Sequence, residues 1–263
     1  MNKILLSIPL YNCELQIPRV INSITKNIEI FDEIILFDNG SLDKTIDNLN
    51  KILSKHFSKE KFKVFQNNYN INLGGSHMNI FDYFLYSNCD YLVVLHGDDQ
   101  GEISNFIDFN KKKDIKEYDW VKFSRFMKCS KLIGYSKIKE IGNQFFNILF
   151  SLSSFKRVYD IGSGLDLYSK KFIKNCPYIN FPNDLTFDYF MTLYGLESNY
   201  ISFYPQTWKE YDQISNVRII KQTLTLIKIF FNFFLYRVGL NRNFFKNKHN
   251  DLSIKLREYH QII

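Results

Sequence analysis

Along the first 125 positions the apolar residues follow two alternating rhythms. Lys3 to Ile8, Glu33 to Asp38, Phe62 to Gln66, Asp90 to Leu95 and Asp119 to Ser124 are runs of strand length rich in Ile, Leu, Val and Phe, side chains that suit a buried pleated surface. Between them, apolar positions recur at helical spacing over Glu14 to Asn27, Asp43 to Phe57, Ser76 to Tyr86 and Ile103 to Lys112. Strands that alternate with single helices need crossover connections, which predicts an α/β fold with a mostly parallel sheet flanked by helices. No internal repeat or low-complexity linker interrupts the pattern, and 263 residues suffice for one large domain with or without an appendage.

In such a sheet the loops at the carboxyl ends of the strands share one edge, where ligands bind. The fourth run, Tyr91-Leu92-Val93-Val94-Leu95, breaks directly into His96-Gly97-Asp98-Asp99-Gln100. Carboxylates delivered there suit Mg²⁺ or Mn²⁺, ions that enter sites on one or two carboxylates with substrate phosphates completing the shell. A solvated acidic turn is the bland alternative. The first strand leads to Pro9, Tyr11 and Asn12, and the second to Asp38-Asn39-Gly40-Ser41. An aromatic ring can stack on a base and a carboxylate or amide can accept its N–H. The same Asp-Asn-Gly-Ser string also reads as a tight turn. Asn72-Leu73-Gly74-Gly75-Ser76 is a glycine turn into a helix, either a phosphate cradle built on backbone N–H groups or a plain loop.

Charge and cysteines narrow the class. Lys and Arg number 34 against 27 Asp and Glu, a formal +7 that favours anionic partners such as nucleotides or phospholipid headgroups. Without a basic stripe or a recognisable module, nucleic acid is not expected as a partner. Cys13, Cys89, Cys129 and Cys176 have no metal or framework spacing, and no signal peptide precedes the first strand, which points to reduced thiols in a cytoplasmic protein.

The ordered set Ser7-Ile8-Pro9-Leu10-Tyr11-Asn12, Phe37-Asp38-Asn39-Gly40-Ser41-Leu42-Asp43, Asn72-Leu73-Gly74 and His96-Gly97-Asp98-Asp99-Gln100 resembles the family-2 glycosyltransferases of the GT-A fold. It is most similar to the dolichyl- and polyprenyl-phosphate sugar synthase branch. The similarity continues through Ser124-Arg125-Phe126, Lys131 to Tyr135 and Asp160 to Tyr168, so it covers about the first 215 residues. The resemblance implies a nucleotide-sugar donor, Mn²⁺ or Mg²⁺, and inverting transfer to a lipid-linked acceptor or a growing surface glycan. Carried over by position, Pro9, Tyr11 and Asp38 or Asn39 would hold the base. Asp98 and Gln100 would sit in the metal and diphosphate site, with Asp99 or His96 assisting. His96 stands where the branch has an acidic residue, and Asp166 where it tends to have a basic one. Those two departures motivate an alternative: a catalytically inactive nucleotide-sugar-binding or scaffold protein of a glycan assembly complex.

Three further roles follow from the chemistry. A leaving nucleoside diphosphate needs its developing charge offset, for which Arg125 is the candidate guanidinium and Lys209 or Arg218 are further cations. A surface ion pair is the competing role of Arg125. A sugar hydroxyl acceptor needs a carboxylate base, for which Asp188 is the candidate, whereas a lipid phosphate is already anionic and needs none. Trp208 to Asn216 resembles the late loop that covers the donor in relatives and excludes water.

The boundary expected near residue 215 separates this domain from a C-terminal helical extension. Ile219 to Leu240 reads as one helix dense in Leu, Ile and Phe, interrupted by Lys221, Lys228 and Arg237. A membrane span wants about 20 predominantly apolar residues, so an interfacial helix on the cytoplasmic face of a membrane fits better than a spanning one. A helix packed on the domain or at a homodimer contact is the other reading. Gln144 to Phe155 reads as core or as an acceptor-side apolar face.

Overall fold

The computed structural model describes residues 2–56, 61–212, 219–249 and 258–262. Five strands match the expected runs: β1 (Ile4–Leu10), β2 (Glu33–Asp38), β3 (Phe62–Asn67), β4 (Tyr91–Leu95) and β5 (Trp120–Ser124). The helices between them are α1 (Ile17–Thr25), α2 (Thr45–His56), α3 (Asn72–Tyr86) and α4 (Ile103–Lys112). Helix α1 begins later than the periodicity suggests. Its first turn holds Pro18, whose missing N–H is one no helix start would use. Helix α3 begins four residues earlier than expected, because Gly74 and Gly75 lie inside it rather than in a loop before it.

After β5 come β6 (Lys131–Ile133), α5 (Lys137–Ser154), β7 (Leu165–Ser169), α6 (Lys170–Asn175), α7 (Phe187–Glu197), β8 (Ile201–Pro205), β9 (Thr207–Lys209), α8 (Ile219–Arg237) and β10 (Tyr259–Gln261). The main sheet has the order β10-β3-β2-β1-β4-β7-β5-β8, and β6 pairs with β9 in a small second sheet. Strands β3, β2, β1 and β4 run parallel, as do β5 and β8. Strand β7 enters antiparallel between β4 and β5, and β10 is antiparallel at the β3 edge.

Strands β1, β4, β5 and β7 are buried throughout, as expected of a sheet covered on both faces. One core, with Ile17, Ile21, Leu49, Phe106 and Phe109, lies under α1, α2 and α4. The other, with Phe81, Phe84, Phe172, Phe187 and Leu193, lies under α3, α6 and α7. The segment after 219 shares this second core. Leu226, Ile229 and Phe233 are buried from α8, and Phe244 stacks on Phe190 with ring centres 4.9 Å apart. The expected C-terminal extension is therefore not wholly helical, since β10 returns to the main sheet with Tyr259 edge-on to Phe37 at 4.8 Å.

Candidate active site at the carboxyl edge of the sheet

Parallel pairing sets the carboxyl ends of β1, β2 and β4 side by side. Leu10 lies opposite Asp38, the Asn39 N–H donates to the Leu10 carbonyl (2.8 Å), and the Gly97 N–H donates to the Pro9 carbonyl (3.0 Å). A Cβ on Gly97 would sit 2.2 Å from Leu10 Cδ2, which would have to turn aside, and 3.0 Å from the Pro9 carbonyl oxygen. The loops after β1 and β2 are knitted together. Asn12, in the left-handed region (φ 52°) that Asn tolerates, donates its N–H to Ser41 Oγ (2.9 Å) and accepts from the Leu42 N–H (2.9 Å). Cys13 N–H donates to Thr45 Oγ1 (2.7 Å) and Lys44 N–H to Glu14 Oε2 (2.9 Å).

This knitting consumes two of the residues expected to hold a base. Asp38 is wholly buried, accepting from Ser41 through both its hydroxyl and its N–H and from Gln66 Nε2 (3.0 Å). Asn39 donates to Asn70 Oδ1 (3.0 Å) and to the Asn72 carbonyl (3.2 Å), and accepts from Asn67 Nδ2 (2.9 Å) and the Ile71 N–H (3.1 Å). Both side chains build the edge. Pro9 is buried beside them, whereas Tyr11 keeps a partly exposed ring.

On β4 the acidic turn divides its labour. Asp98 is half-buried, accepts from the Gln100 N–H (3.2 Å), and burial pushes its carboxyl up to about 6. Asp99, left-handed at φ 60°, pairs with Arg19 of α1 (2.6 Å). The same guanidinium grips both carboxylate oxygens of Asp212 (2.9 and 3.0 Å), so Arg19 ties the late loop to the acidic turn. Lys209 donates its N–H to the Gln100 carbonyl (2.9 Å) and pairs with Glu102 through its ammonium, which makes it a loop anchor. Arg218 and residues 213–216 of the expected covering loop lie outside the described residues.

His96 turns away from the acidic pair. Its Nε2 lies 3.4 Å from Nε2 of His77 on α3, while His77 Nδ1 lies 3.0 Å from the Leu73 carbonyl. A carbonyl only accepts, so the network assigns the His77 proton to Nδ1 and the His96 proton to Nε2. Burial lowers both rings, His77 to about 4, so both are neutral near pH 7. The free lone pair of His96 is then on Nδ1, against Gly164, where a Cβ would stand 2.9 Å from it.

Behind the histidines is a buried charged layer. Lys122, with no exposure, lies 3.4 and 3.5 Å from the two oxygens of Asp166, which also accepts from Trp120 Nε1 (2.9 Å). Burial raises the Asp166 carboxyl to about 7 against the pull of Lys122. Asp188, in the first turn of α7, is 5% exposed, and no hydrogen bond to its carboxylate occurs among the described residues. Its charge acts on Lys122 and on both histidine rings.

Arg125 is a buried pivot rather than a surface pair. Its Nε and Nη2 both bond Asp160 at 2.8 Å, its N–H donates to the same carboxylate (2.9 Å), and its Nη2 also reaches the Gly162 carbonyl. The guanidinium sits 5.0 Å from the Trp208 ring centre and 5.1 Å from that of Phe126. The glycine turn is likewise structural. A Cβ on Gly74 would stand 2.5 Å from the Pro182 carbonyl, and the Gly75 N–H donates to the Asn183 carbonyl (3.1 Å), so those glycines seat the segment leading to Asp188.

Sequence reasoning missed Arg19, His77, Lys122 and Asp160. Arg19 and His77 look like ordinary helix residues, and Lys122 breaks a strand pattern that solvent exposure would explain equally well. Asp160 carried a signal, since the Asp160 to Tyr168 string was part of the resemblance.

No group of three or more His, Cys, Asp or Glu side chains that could hold a metal occurs among the described residues. A desolvated carboxylate at about pKa 6 with another acid adjoining it still fits a hard divalent cation, provided that diphosphate oxygens supply most of the shell. The fold and this edge define an α/β domain that presents an acidic turn at the carboxyl ends of its parallel strands. The model of glycosyl transferase family 2 matches residues 6–175, and the chain belongs to that family. No curated protein sequence matches it. Among solved structures, the chain is similar to glucosyl-3-phosphoglycerate synthase from Mycobacterium tuberculosis. With the form bound to Mn²⁺, UDP-glucose and glycerol 3-phosphate the TM-score is 0.60 at 16% identity, covering 91% of this chain and 81% of that one. With the form bound to Mn²⁺, UDP and glucosyl-3-phosphoglycerate it is 0.59 at 15% identity, covering 99% and 86%. The shared GT-A architecture is what these matches establish.

Proposed function

We propose that this glycosyltransferase uses a divalent ion, Mn²⁺ or Mg²⁺, to hold a nucleotide-sugar donor, and that it transfers the sugar to a lipid-linked acceptor at a membrane face. One observation carries the reading: a half-buried carboxylate, Asp98, at the carboxyl edge of a parallel sheet, adjoining the loop that bears Tyr11. Membership of family 2 supports it, as do the Mn²⁺ and UDP-glucose bound by the similar synthase. When bound, the ion would offset the charge that grows on the leaving diphosphate. The protein does the rest. Tyr11 offers a ring for the base, and Asp98, aided by Gln100, holds the ion. Arg19, by joining Asp99 to Asp212, holds residues 207–212 against the acidic turn and so helps keep water from the diphosphate. If the acceptor is a hydroxyl, Asp188 takes its proton; a phosphate acceptor needs no base.

Calorimetry with Mn²⁺ and a panel of nucleoside diphosphates, followed by a donor-hydrolysis assay, tests the reading. Asp98→Asn is expected to abolish metal-dependent nucleotide binding and turnover while the fold survives, and wild-type turnover in that variant would overturn it. A second reading, nucleotide-sugar binding without catalysis, is favoured by the commitment of His96 to His77 and of Asp99 to Arg19, which leaves few metal ligands. Tight nucleotide binding with no sugar release from any donor would select it.

A further inference from the structure

Helices α5 and α8 pack side by side and run in the same direction, with Phe150 against Phe230 (6.0 Å between ring centres) and Arg237 over the Phe155 ring (5.4 Å). Each buries one stripe and exposes another. On α5 and its cap, Ile138, Ile141, Phe145, Ile148, Leu152 and Phe155 are 54–81% exposed at spacings of three and four residues. On α8 the outward stripe is Ile220, Leu224, Ile227, Phe231 and Phe234. Phe155 adopts a left-handed φ of 55°, unfavourable for a bulky residue, and its ring is 79% exposed.

Charge selects the occupant. Residues 137–159 and 219–249 contain ten of the chain's 34 Lys and Arg residues and one of its 27 Asp and Glu, so the positive excess of the protein lies in these two spans. Lys221, Lys228, Arg242, Lys246 and Lys248 among them are exposed. A second copy of the chain meeting this face about a twofold axis would set cation on cation. An anionic bilayer instead offers apolar depth for the stripes and phosphates for the rim. No helix among the described residues is long and apolar enough to cross a membrane.

We infer that α5 and α8 together form a plate that lies on an anionic lipid surface, so that the acceptor side of the active site opens at the lipid headgroups. The amino-terminal parts of both helices meet the cluster around Arg125 and the first turn of α7, which carries Asp188. Asn143 donates to Tyr135 Oη (2.9 Å), which accepts from Arg125 (3.4 Å), and Gln222 donates to Tyr189 Oη (3.0 Å) beside Gly162. The plate stands on exposure and charge alone; its service to a lipid-linked acceptor rests on the function proposed above.

Vesicle flotation tests it, with phosphatidylcholine alone and with phosphatidylcholine containing phosphatidylglycerol. Wild type is expected to float with the anionic vesicles and far less with the neutral ones. Ile148→Glu/Leu152→Glu on α5, Phe231→Glu on α8 and Lys221→Glu/Lys228→Glu should each lower partitioning about ten-fold or more, with melting temperature and nucleoside diphosphate binding unchanged. Absence of wild type from the vesicle fraction, indifference to the α5 substitutions, or a dimer in sedimentation equilibrium that those substitutions dissociate would overturn the inference. Nucleotide binding without flotation would refute the plate and spare the glycosyl-transfer reading. Flotation without binding of any nucleoside diphosphate would do the reverse.

Discussion

Asp160→Ala should be among the most destabilising single changes in the protein. Asp160 has no exposure and Arg125 only 10%, and the carboxylate accepts from the Arg125 Nε, Nη2 and N–H and from the Gly162 N–H (3.2 Å). Removing it leaves a largely buried guanidinium among Trp208, Phe126 and Tyr135 without its carboxylate partner. Breaking one side of a buried pair costs about 3–5 kcal/mol, whereas replacing both sides by apolar groups of similar volume is often neutral. The sharper expectation is therefore non-additivity. Asp160→Ala should cost about 3–5 kcal/mol, and Arg125→Met/Asp160→Leu should recover most of it. Urea denaturation of wild type, Asp160→Ala, Arg125→Met, Asp160→Leu and Arg125→Met/Asp160→Leu measures all the terms. A loss below about 1 kcal/mol for Asp160→Ala, or simple additivity in the cycle, would refute the claim that this pair is a desolvated pivot.

Other outcomes follow from the same geometry. His77 is held neutral by burial, its pKa down from 6.5 to about 4; the unfolded chain binds that proton first, so stability present above pH 6.5 is lost as pH falls toward 4, by about 3 kcal/mol relative to His77→Gln. Parallel urea titrations of the two proteins across that range check it. Gly74→Ala should cost about 1–3 kcal/mol in thermal or urea unfolding, since its methyl group meets the Pro182 carbonyl at 2.5 Å, and should also weaken any activity that depends on the Asp188 segment. Arg19→Ala should leave stability within about 1 kcal/mol, because its pairs are partly exposed, yet raise background donor hydrolysis by loosening the late loop. An unchanged hydrolysis rate in that variant would deny Arg19 its role.

What the sequence reveals, and what it hides, follows from which interactions are local. Strands β1 to β5 and helix α4 are legible because each carries its own periodicity and its neighbours are covered by helices of equal regularity. Strand β7 is not, since Leu165-Asp166-Leu167 places a carboxylate at the centre of a buried strand, and only Lys122 and Trp120 on the adjoining strand make that tolerable. The turn Asp38 to Ser41 was readable both as a turn and as a base contact, and its hydrogen bonds go to the turn. Asp98 was legible as the end of a hydrophobic run. Arg19 was not, because its meaning depends on Asp99 and Asp212, residues 80 and 193 positions away. In α5, the run Gln144 to Phe155 reads from the sequence as core or as an acceptor-side apolar face, and its apolar content does not say which residues turn inward. Phe146 and Phe150 are buried, while Phe145 and Leu152 point out.

The pairing of β10 with β3 has a consequence for how the molecule is made. Strand β3 emerges from the ribosome roughly two hundred residues before the segment that covers its outer edge. At bacterial or eukaryotic elongation rates that interval lasts about 10–40 s. Throughout it, an apolar strand with unmet backbone donors and acceptors stays available to any other nascent chain. Slowed translation or early termination within that interval should therefore favour aggregation, and chaperone capture should peak on ribosome-bound chains that have passed β8 but not yet reached Tyr259.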